Sequence, residues 1–337
     1  MADLSATYMG VKLKNPIILG ASNLVTKPEV VKELEEAGIA AIVYKSLFEE
    51  QIQLESLQFD EDLNEYANRN SEMGRIFPDL EHAGPKEHLL HLKRLKESTS
   101  VPVFASLNAI YEPSWVEYAK QLEETGIDGL ELNLYATPGY FEIGASSIED
   151  KQYQIVKSVK KALRIPVSVK LSPFYTNTLN FIKKLDEAGI DGFVMFNRFF
   201  QPEIDIDHET FNFPWELTQS RDHHLALRYV GLLHGNIEGS ICANRGIYNA
   251  EDTIRLLLAG ADVVQVVSTI YKNQPSYVTT ILAEISAWMD KKGYQTLNDF
   301  RGNLSRKNLK DPYTYQRAQY VDILAKSEEI FKKYPMV

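Results

Sequence analysis

Short apolar runs alternate along this chain with stretches in which apolar residues recur every three or four positions. One phrase returns four times: EEAGIAAIVYKS at 35–46, EETGIDGLELNL at 123–134, DEAGIDGFVMFN at 186–197 and, more loosely, LLAGADVVQVVS at 257–268. Each copy reads as the end of a helix, a glycine that stops it (Gly38, Gly126, Gly189, Gly260) and a short apolar strand. Such a unit cannot bury its strand alone and must stack beside its relatives. The polar tips of the strands (Lys45, Asn133, Asn197, Ser268) would then gather at one end of the stack.

Apolar runs bounded by turn signals predict eight strands: Pro16–Ser22, Ala40–Ser46, Val101–Asn108, Gly129–Tyr135, Ile165–Leu171, Gly192–Asn197, Gly239–Arg245 and Val263–Ser268. Several are apolar throughout, as parallel strands covered on both faces require. Helical patterns fall between them at Lys27–Ala37, Pro113–Thr125, Ser147–Leu163, Asn177–Ala188 and Ala250–Ala259, the last behind a capping Asn249. Eight alternating units predict a (β/α)8 TIM barrel; a doubly wound sheet is the competitor, but paired repeats favour closure. Three stretches exceed what the barrel needs. They are residues 47–100 after the second strand, 198–237 after the sixth, and a C-terminal helical extension, giving a barrel over 1–305 and an extension over 306–337. Long insertions after strand ends serve as lids or interface elements.

Of the 337 residues 44% are hydrophobic, enough for a large core, and the net charge of −10 argues against a nucleic-acid surface. The single cysteine, Cys242, excludes an internal disulfide or a cysteine metal site and reads as a small buried hydrophobe. With no signal-like apolar stretch near residue 1 and no run of roughly 20 apolar residues, the expectation is a cytoplasmic protein not bound to membrane. The histidines lack carboxylate partners at metal-motif spacing, so no metal is expected.

Chemistry is expected at the strand ends. Lys45 and Lys170 each stand in an apolar strand, where a cation is costly unless it meets an anion or a polar ligand. They suit either a Schiff base with a carbonyl substrate or stabilisation of electron density on a cofactor. Asn23, Asn108, Asn133 and Asn197 present donors and acceptors for the edges of a heterocycle. After the seventh and eighth strands, where barrels commonly bind phosphate, stand Gly246, Ser268 and Thr269.

These residues resemble the dihydroorotate dehydrogenase family, in its soluble FMN-containing form. The resemblance rests on NPIILGAS (15–22), YKS (44–46), NSEMGR (70–75), ELNL (131–134) with Pro138, VKLSP (169–173), Asn197, RGI (245–247) and GYQTLNDFRGNL (293–304). It implies FMN at the C-terminal end of the strands, with Ala21, Ser22, Lys45, Ser46, Asn108 and Asn133 beside it and Lys170 near its pyrimidine side. It further places Lys45, Asn133 and Asn197 on the orotate ring, Asn70, Met73 and Gly74 in the loop covering it, and Arg245, Gly246, Ser268 and Thr269 at the phosphate. Where the family carries a cysteine or serine base, this chain has Ala136-Thr137; the asparagine after the proline is Gly139, and the usual Gly-Gly pair is Arg245-Gly246.

The expected function is oxidation of dihydroorotate to orotate, in pyrimidine biosynthesis, with a proton leaving C5 and a hydride leaving C6 for flavin N5. Lys170 supplies electrostatic stabilisation and Thr137 acts as base, with Ser172 or a water as substitute. The electron acceptor is expected to be soluble, and the family suggests a homodimer. The altered segment 135–139 keeps open a flavin enzyme acting on another dihydropyrimidine or an enoate. A Schiff-base aldolase barrel and a flavin-binding module without catalysis are further alternatives.

Overall fold

The computed structural model describes residues 2–50, 85–136, 141–198, 202–212, 214, 216–326 and 328–335. Eight parallel strands close into a (β/α)8 TIM barrel. In chain order they are β3 (Ile17–Leu19), β4 (Ala41–Phe48), β5 (Val103–Asn108), β6 (Gly129–Asn133), β7 (Val167–Leu171), β8 (Gly192–Met195), β11 (Ser240–Ala243) and β12 (Val263–Val266), with β12 pairing back to β3. β3 and β11 are shorter than their apolar runs predict, because the residues that follow turn outward to line a cavity.

Alternation along each strand explains why the runs are apolar throughout. Ile17, Leu19, Ile42, Val103, Leu130, Leu132, Val167 and Val169 face outward and join the helices in one core. Ile18, Val43, Phe104, Val194, Cys242 and Val263 face inward and fill the barrel in a second.

The fourfold repeat has a physical cause. In each copy the glycine takes a positive φ (102°, 82°, 87° and 121° at Gly38, Gly126, Gly189 and Gly260), which ends the helix and turns the chain into its strand. An aspartate follows in three copies. Asp128, Asp191 and Asp262 donate their N–H to the carbonyl of Val103, Val167 and Ile241, and their Oδ2 accepts the N–H of the same residue, each at 2.7 Å. The carboxylates also meet Lys96, Lys160 and Arg301. In the first copy Ala40 keeps the backbone bond to Ile17, and Asn15 takes the carboxylate's part, accepting from Ile17 N at 3.0 Å and donating to Gly38 O at 2.7 Å. The strand pairs β3–β4, β5–β6, β7–β8 and β11–β12 are therefore each tied at their N-terminal ends, one tie per repeat.

A hairpin of β1 (Ala6–Tyr8) and β2 (Val11–Leu13), which the hydrophobic pattern does not announce, plugs that end. Tyr8 and Met9 reach into the barrel, Met9 N donates to Ser240 Oγ (3.0 Å), and Tyr8 meets Phe104 edge-on. A Cβ on Gly129 or Gly192 would stand 3.1 or 2.9 Å from Met9, so the glycine opening each GLELN and GFVM strand leaves room for the plug.

Outside the ring stand α1 (Pro28–Glu36), α2 (Lys86–Ser98), α3 (Glu112–Glu123), α4 (Ala145–Ala162), α5 (Thr178–Glu187), α6 (His224–Leu233), α7 (Ala250–Ala259), α8 (Ser268–Asn273) and α9 (Tyr277–Lys292). The insertion after β8 is shorter than 198–237, because α6 packs on the barrel as one of its own helices. The inserted part carries an exposed hairpin, β9 (Glu203–Asp205) with β10 (Thr210–Asn212), before the chain returns at 216–222. The GYQTLNDFRGNL segment stitches the fold: Asp299 accepts from Gln295 N and Thr296 N, and Arg301 meets Asp262. Beyond it, α10 (Ala318–Ala325) and α11 (Glu328–Lys333) bury none of their described residues.

Candidate active site

A cavity of about 620 Å³ opens at the C-terminal end of the strands, within the range of small-molecule and cofactor sites. Sequence candidates from seven strand ends meet in it: Ala21, Ser22 and Asn23 after β3, Lys45 and Ser46 on β4, Asn133 on β6, Lys170 on β7, Asn197 after β8, Arg245 and Gly246 after β11, and Ser268 after β12. The pairing of β4 with β5 slips by one residue between Val43 and Ser46. That bulge presents Lys45 and Ser46 together to the cavity, where strict alternation would turn one of them away.

Two candidates stand behind the wall. Asn108 donates from Nδ2 to Asn133 O (3.0 Å) and braces that strand end. Thr269 is fully buried and donates its hydroxyl to Tyr248 O (2.9 Å). Ser172, the substitute base, accepts from Phe174 N (3.1 Å) and is not among the lining residues. Asn70, Met73, Gly74 and Thr137 lie outside the described residues.

The lining amides are oriented. Asn197 Nδ2 donates to Asn133 Oδ1 at 2.6 Å, which leaves one amide NH2 and one amide carbonyl of the pair for a ligand. Lys170 is an ion-pair partner of Glu131, Nζ to Oε1 3.4 Å, with side chains 12% and 1% exposed. Although the protein is acidic, the described residues of the cavity wall include Lys45, Lys170, Arg198 and Arg245 against a single carboxylate among them, Glu216, which Arg198 meets at 3.6 Å. Burial pushes the Arg245 guanidinium below its ordinary range; Asp222 opposes that shift and Arg198 adds to it. The wall therefore suits an anionic ligand.

The returning segment 216–222 forms the third side. Thr218 N and Oγ1 meet Ser268 Oγ at 3.1 and 2.7 Å, Tyr248 OH donates to Thr218 O, and His223 Nδ1 meets Gly246 O at 3.0 Å. Gly246 is a glycine because that segment lies against it: a Cβ would stand 2.6 Å from Gln219 O and 2.8 Å from Asp222 N. Arg245 beside it holds φ at 71°, a conformation unfavourable for a side chain of its size.

Residues that the strand-tip pattern missed are Glu131, Gln265, Asn244 and Arg198. Glu131 and Gln265 carried a signal, a polar residue inside LELNL and VVQVV, but they lie below the tips. Among the described residues, four buried side-chain atoms of the cavity wall lack a hydrogen-bond partner: Ser22 Oγ, Asn244 Oδ1, Arg245 Nε and Gln265 Oε1. Buried polar atoms are nearly always paired, so such a cluster marks a ligand surface.

Fold and site together define a parallel α/β barrel with a polar cavity, rich in cationic side chains, across the C-terminal end of its strands. The chain belongs to the dihydroorotate dehydrogenase family, whose profile matches residues 3–289. It is 27% identical over 308 residues to the catalytic subunit of dihydroorotate dehydrogenase B (NAD(+)) of Thermoplasma volcanium, covering 90% of this chain and 98% of that one. Against the corresponding subunit of Methanocaldococcus jannaschii it is 26% identical over 314 residues, covering 89% and 97%. Against a putative dihydroorotate dehydrogenase A (fumarate) of Aeropyrum pernix it is 26% identical over 319 residues, covering 90% and 98%. Its relatives are oxidoreductases by name, and identities at this level mark a divergent member.

Proposed function

We infer that the protein is an FMN-dependent oxidoreductase of the dihydroorotate dehydrogenase type, oxidising dihydroorotate to orotate. The observation that carries this reading is the meeting of Lys45, Lys170, Asn133 and Asn197 in one cavity whose wall holds four unpartnered buried polar atoms. Those atoms fit FMN. Ser22 Oγ, Asn244 Oδ1 and Gln265 Oε1 offer contacts to the ring and ribityl hydroxyls, and Arg245 Nε offers a charge-assisted donor to the phosphate, beside Gly246 and Ser268. Bound there, FMN supplies the acceptor for a hydride from C6 of the substrate.

The chain's own residues do the rest. Asn133 and Asn197, locked to one another, fix the plane and rotation of the substrate ring with the amide groups left free. Lys45 and Lys170 hold positive charge against the two rings, and Thr137 is assigned the proton from C5, since Ala136 beside it has no atom to take one. Asn70, Met73 and Gly74 are assigned to the loop covering the substrate. The ion pair of Lys170 with Glu131 favours this electrostatic role over nucleophilic attack by the amine, and with it the redox reading over an aldolase. The enzyme is assigned a soluble electron acceptor, a cytoplasmic location and a homodimeric state. No helix among the described residues is long and apolar enough to cross a membrane. A second reading, another dihydropyrimidine or an enoate as substrate, is favoured by Arg198 on the wall and Ala136 next to the base position.

Anaerobic titration of the FMN-loaded protein with dihydroorotate tests the assignment. Stoichiometric bleaching of the flavin band is expected. A band untouched by dihydroorotate but bleached by another dihydropyrimidine would move the assignment to the second reading, and failure to take up FMN would remove both.

A further inference from the structure

Beneath the cavity lies a carboxylate for which the proposed reaction has no use. Glu131 stands in apolar β6, 1% exposed, and is not among the lining residues. Its oxygens serve three neighbours: Oε1 takes Lys170 Nζ and Ser106 Oγ, both at 3.4 Å, and Oε2 takes Gln265 Nε2 at 2.8 Å. β6 and β12 stand opposite one another in the closed ring, so the Gln265 bond spans the barrel interior.

A carboxylate only accepts hydrogen bonds, and this sets the polarity of what surrounds it. Gln265 must turn its NH2 toward Glu131, which aims its carbonyl Oε1 the other way. Oε1 is buried, has no partner among the described residues, and lies 3.4 Å from where a Cβ of Gly20 would stand, at the cavity wall. Lys170 spends one N–H on Glu131 and keeps the others for the cavity. Ser106 also donates to Glu131, so Ser46, 2.7 Å from Ser106, donates to it and keeps its lone pairs for the cavity.

We propose that Glu131 is a positioning residue that holds the Lys170 ammonium, a donor, in place and locks the Gln265 carbonyl as acceptor, so that the cavity floor selects a ring carrying both a carbonyl oxygen and an N–H, an imide or ureide. The inference rests on the flavin reading insofar as the ring assigned to the floor is the pyrimidine portion of FMN. Dihydroorotate and orotate carry the same groups, and the test separates the two sources.

Flavin-free protein is titrated with FMN and with 3-methyl-FMN, which lacks the ring N–H, by fluorescence quenching. Orotate and 3-methylorotate are titrated by calorimetry on the protein as isolated, an arm that needs no flavin. Leaving a buried acceptor unpaired weakens binding by about ten-fold, so the methylated ring is expected to bind about ten-fold more weakly in the flavin arm. In Glu131→Gln that preference is expected to disappear, because a glutamine at 131 both donates and accepts and so frees the Gln265 amide to turn. A steric effect of the methyl group would persist in the variant. Gln265→Leu is expected to lose the preference with Glu131 intact, and it serves if Glu131→Gln does not fold. A preference confined to the orotate arm assigns the floor to the substrate ring and sustains the role of Glu131. Equal binding in both arms, or a preference that survives Glu131→Gln, overturns the proposal. Absence of FMN uptake with a preference for orotate overturns the flavin reading alone.

Discussion

Replacing Lys170 by methionine deletes one partner of a buried ion pair at nearly constant side-chain length. The ammonium lies 3.4 Å from Glu131 Oε1, with the lysine side chain 12% and the glutamate 1% exposed. Two unit charges at that separation attract by about 5 kcal/mol at an effective dielectric constant of about 20. Measured losses on stranding one member of a buried pair run to about 3–5 kcal/mol, so Lys170→Met is expected to lose about 4 kcal/mol of stability. Glu131→Gln strands the ammonium instead; the lysine reaches the solvated cavity, so the expected loss is smaller, about 2 kcal/mol. In the double variant no charge is stranded, and the amide introduced in place of the carboxylate still reaches Gln265 and Ser106, so most of both losses should be recovered. Urea unfolding of the four proteins, followed by tryptophan fluorescence and far-UV circular dichroism, reads the cycle. A coupling energy of about 3 kcal/mol or more is expected, and single losses that add to within about 0.5 kcal/mol would refute the pairing.

Three other expectations follow from particular residues. Asp191→Ala leaves Val167 N without its 2.7 Å acceptor and Lys160 without its carboxylate, so the urea midpoint should fall by the equivalent of about 1–3 kcal/mol; an unchanged midpoint would dismiss the strand tie. His88 stands edge-on to Tyr44 at 5.0 Å, and burial first, then Lys45 and His91, bring its pKa from 6.5 down to about 4. Since the unfolded chain binds the proton more readily, stability is full above pH 6.5 and falls as pH drops toward 4, by on the order of 3 kcal/mol. His88→Phe should flatten that slope in pH-dependent unfolding, and a slope unaltered by the substitution would assign it elsewhere. Arg245→Gly relieves a positive φ of 71° and should raise stability by about 1 kcal/mol, while cutting the preference for FMN over riboflavin about ten-fold. A glycine variant that keeps the preference would take Arg245 off the phosphate.

The barrel was legible because its determinants are local. Gly126, Gly189 and the Asp128 and Asp191 that follow them lie within a few residues of the strand each copy leads into, so the phrase that repeats in the chain carries the tie to the preceding strand that repeats in the ring. The strand tips were legible for the same reason, and eleven of the sequence candidates share one cavity. What lay beyond reach depends on distant partners. The Met9 plug explains Gly129 and Gly192 only once residues far apart in sequence are superposed, and the Gln265–Glu131 bond joins positions 134 residues apart. Gly246 looked like room for a phosphate; the 219–222 turn against it supplies a second cause that no local pattern shows. Thr269 and Asn108 sit at strand ends yet turn to Tyr248 and Asn133, because phase at a strand end is set by the loop that follows.

The proposed FMN would lie flat across the strand ends, with its pyrimidine portion toward Lys170 and Gln265 and its phosphate toward Arg245 and Gly246. A crystal structure of the protein grown with FMN measures that placement directly. Ring density within hydrogen-bonding distance of Lys170 Nζ and Gln265 Oε1 is the expected result. Density at another surface, or a ring reversed so that its phosphate meets Lys170, would contradict the account.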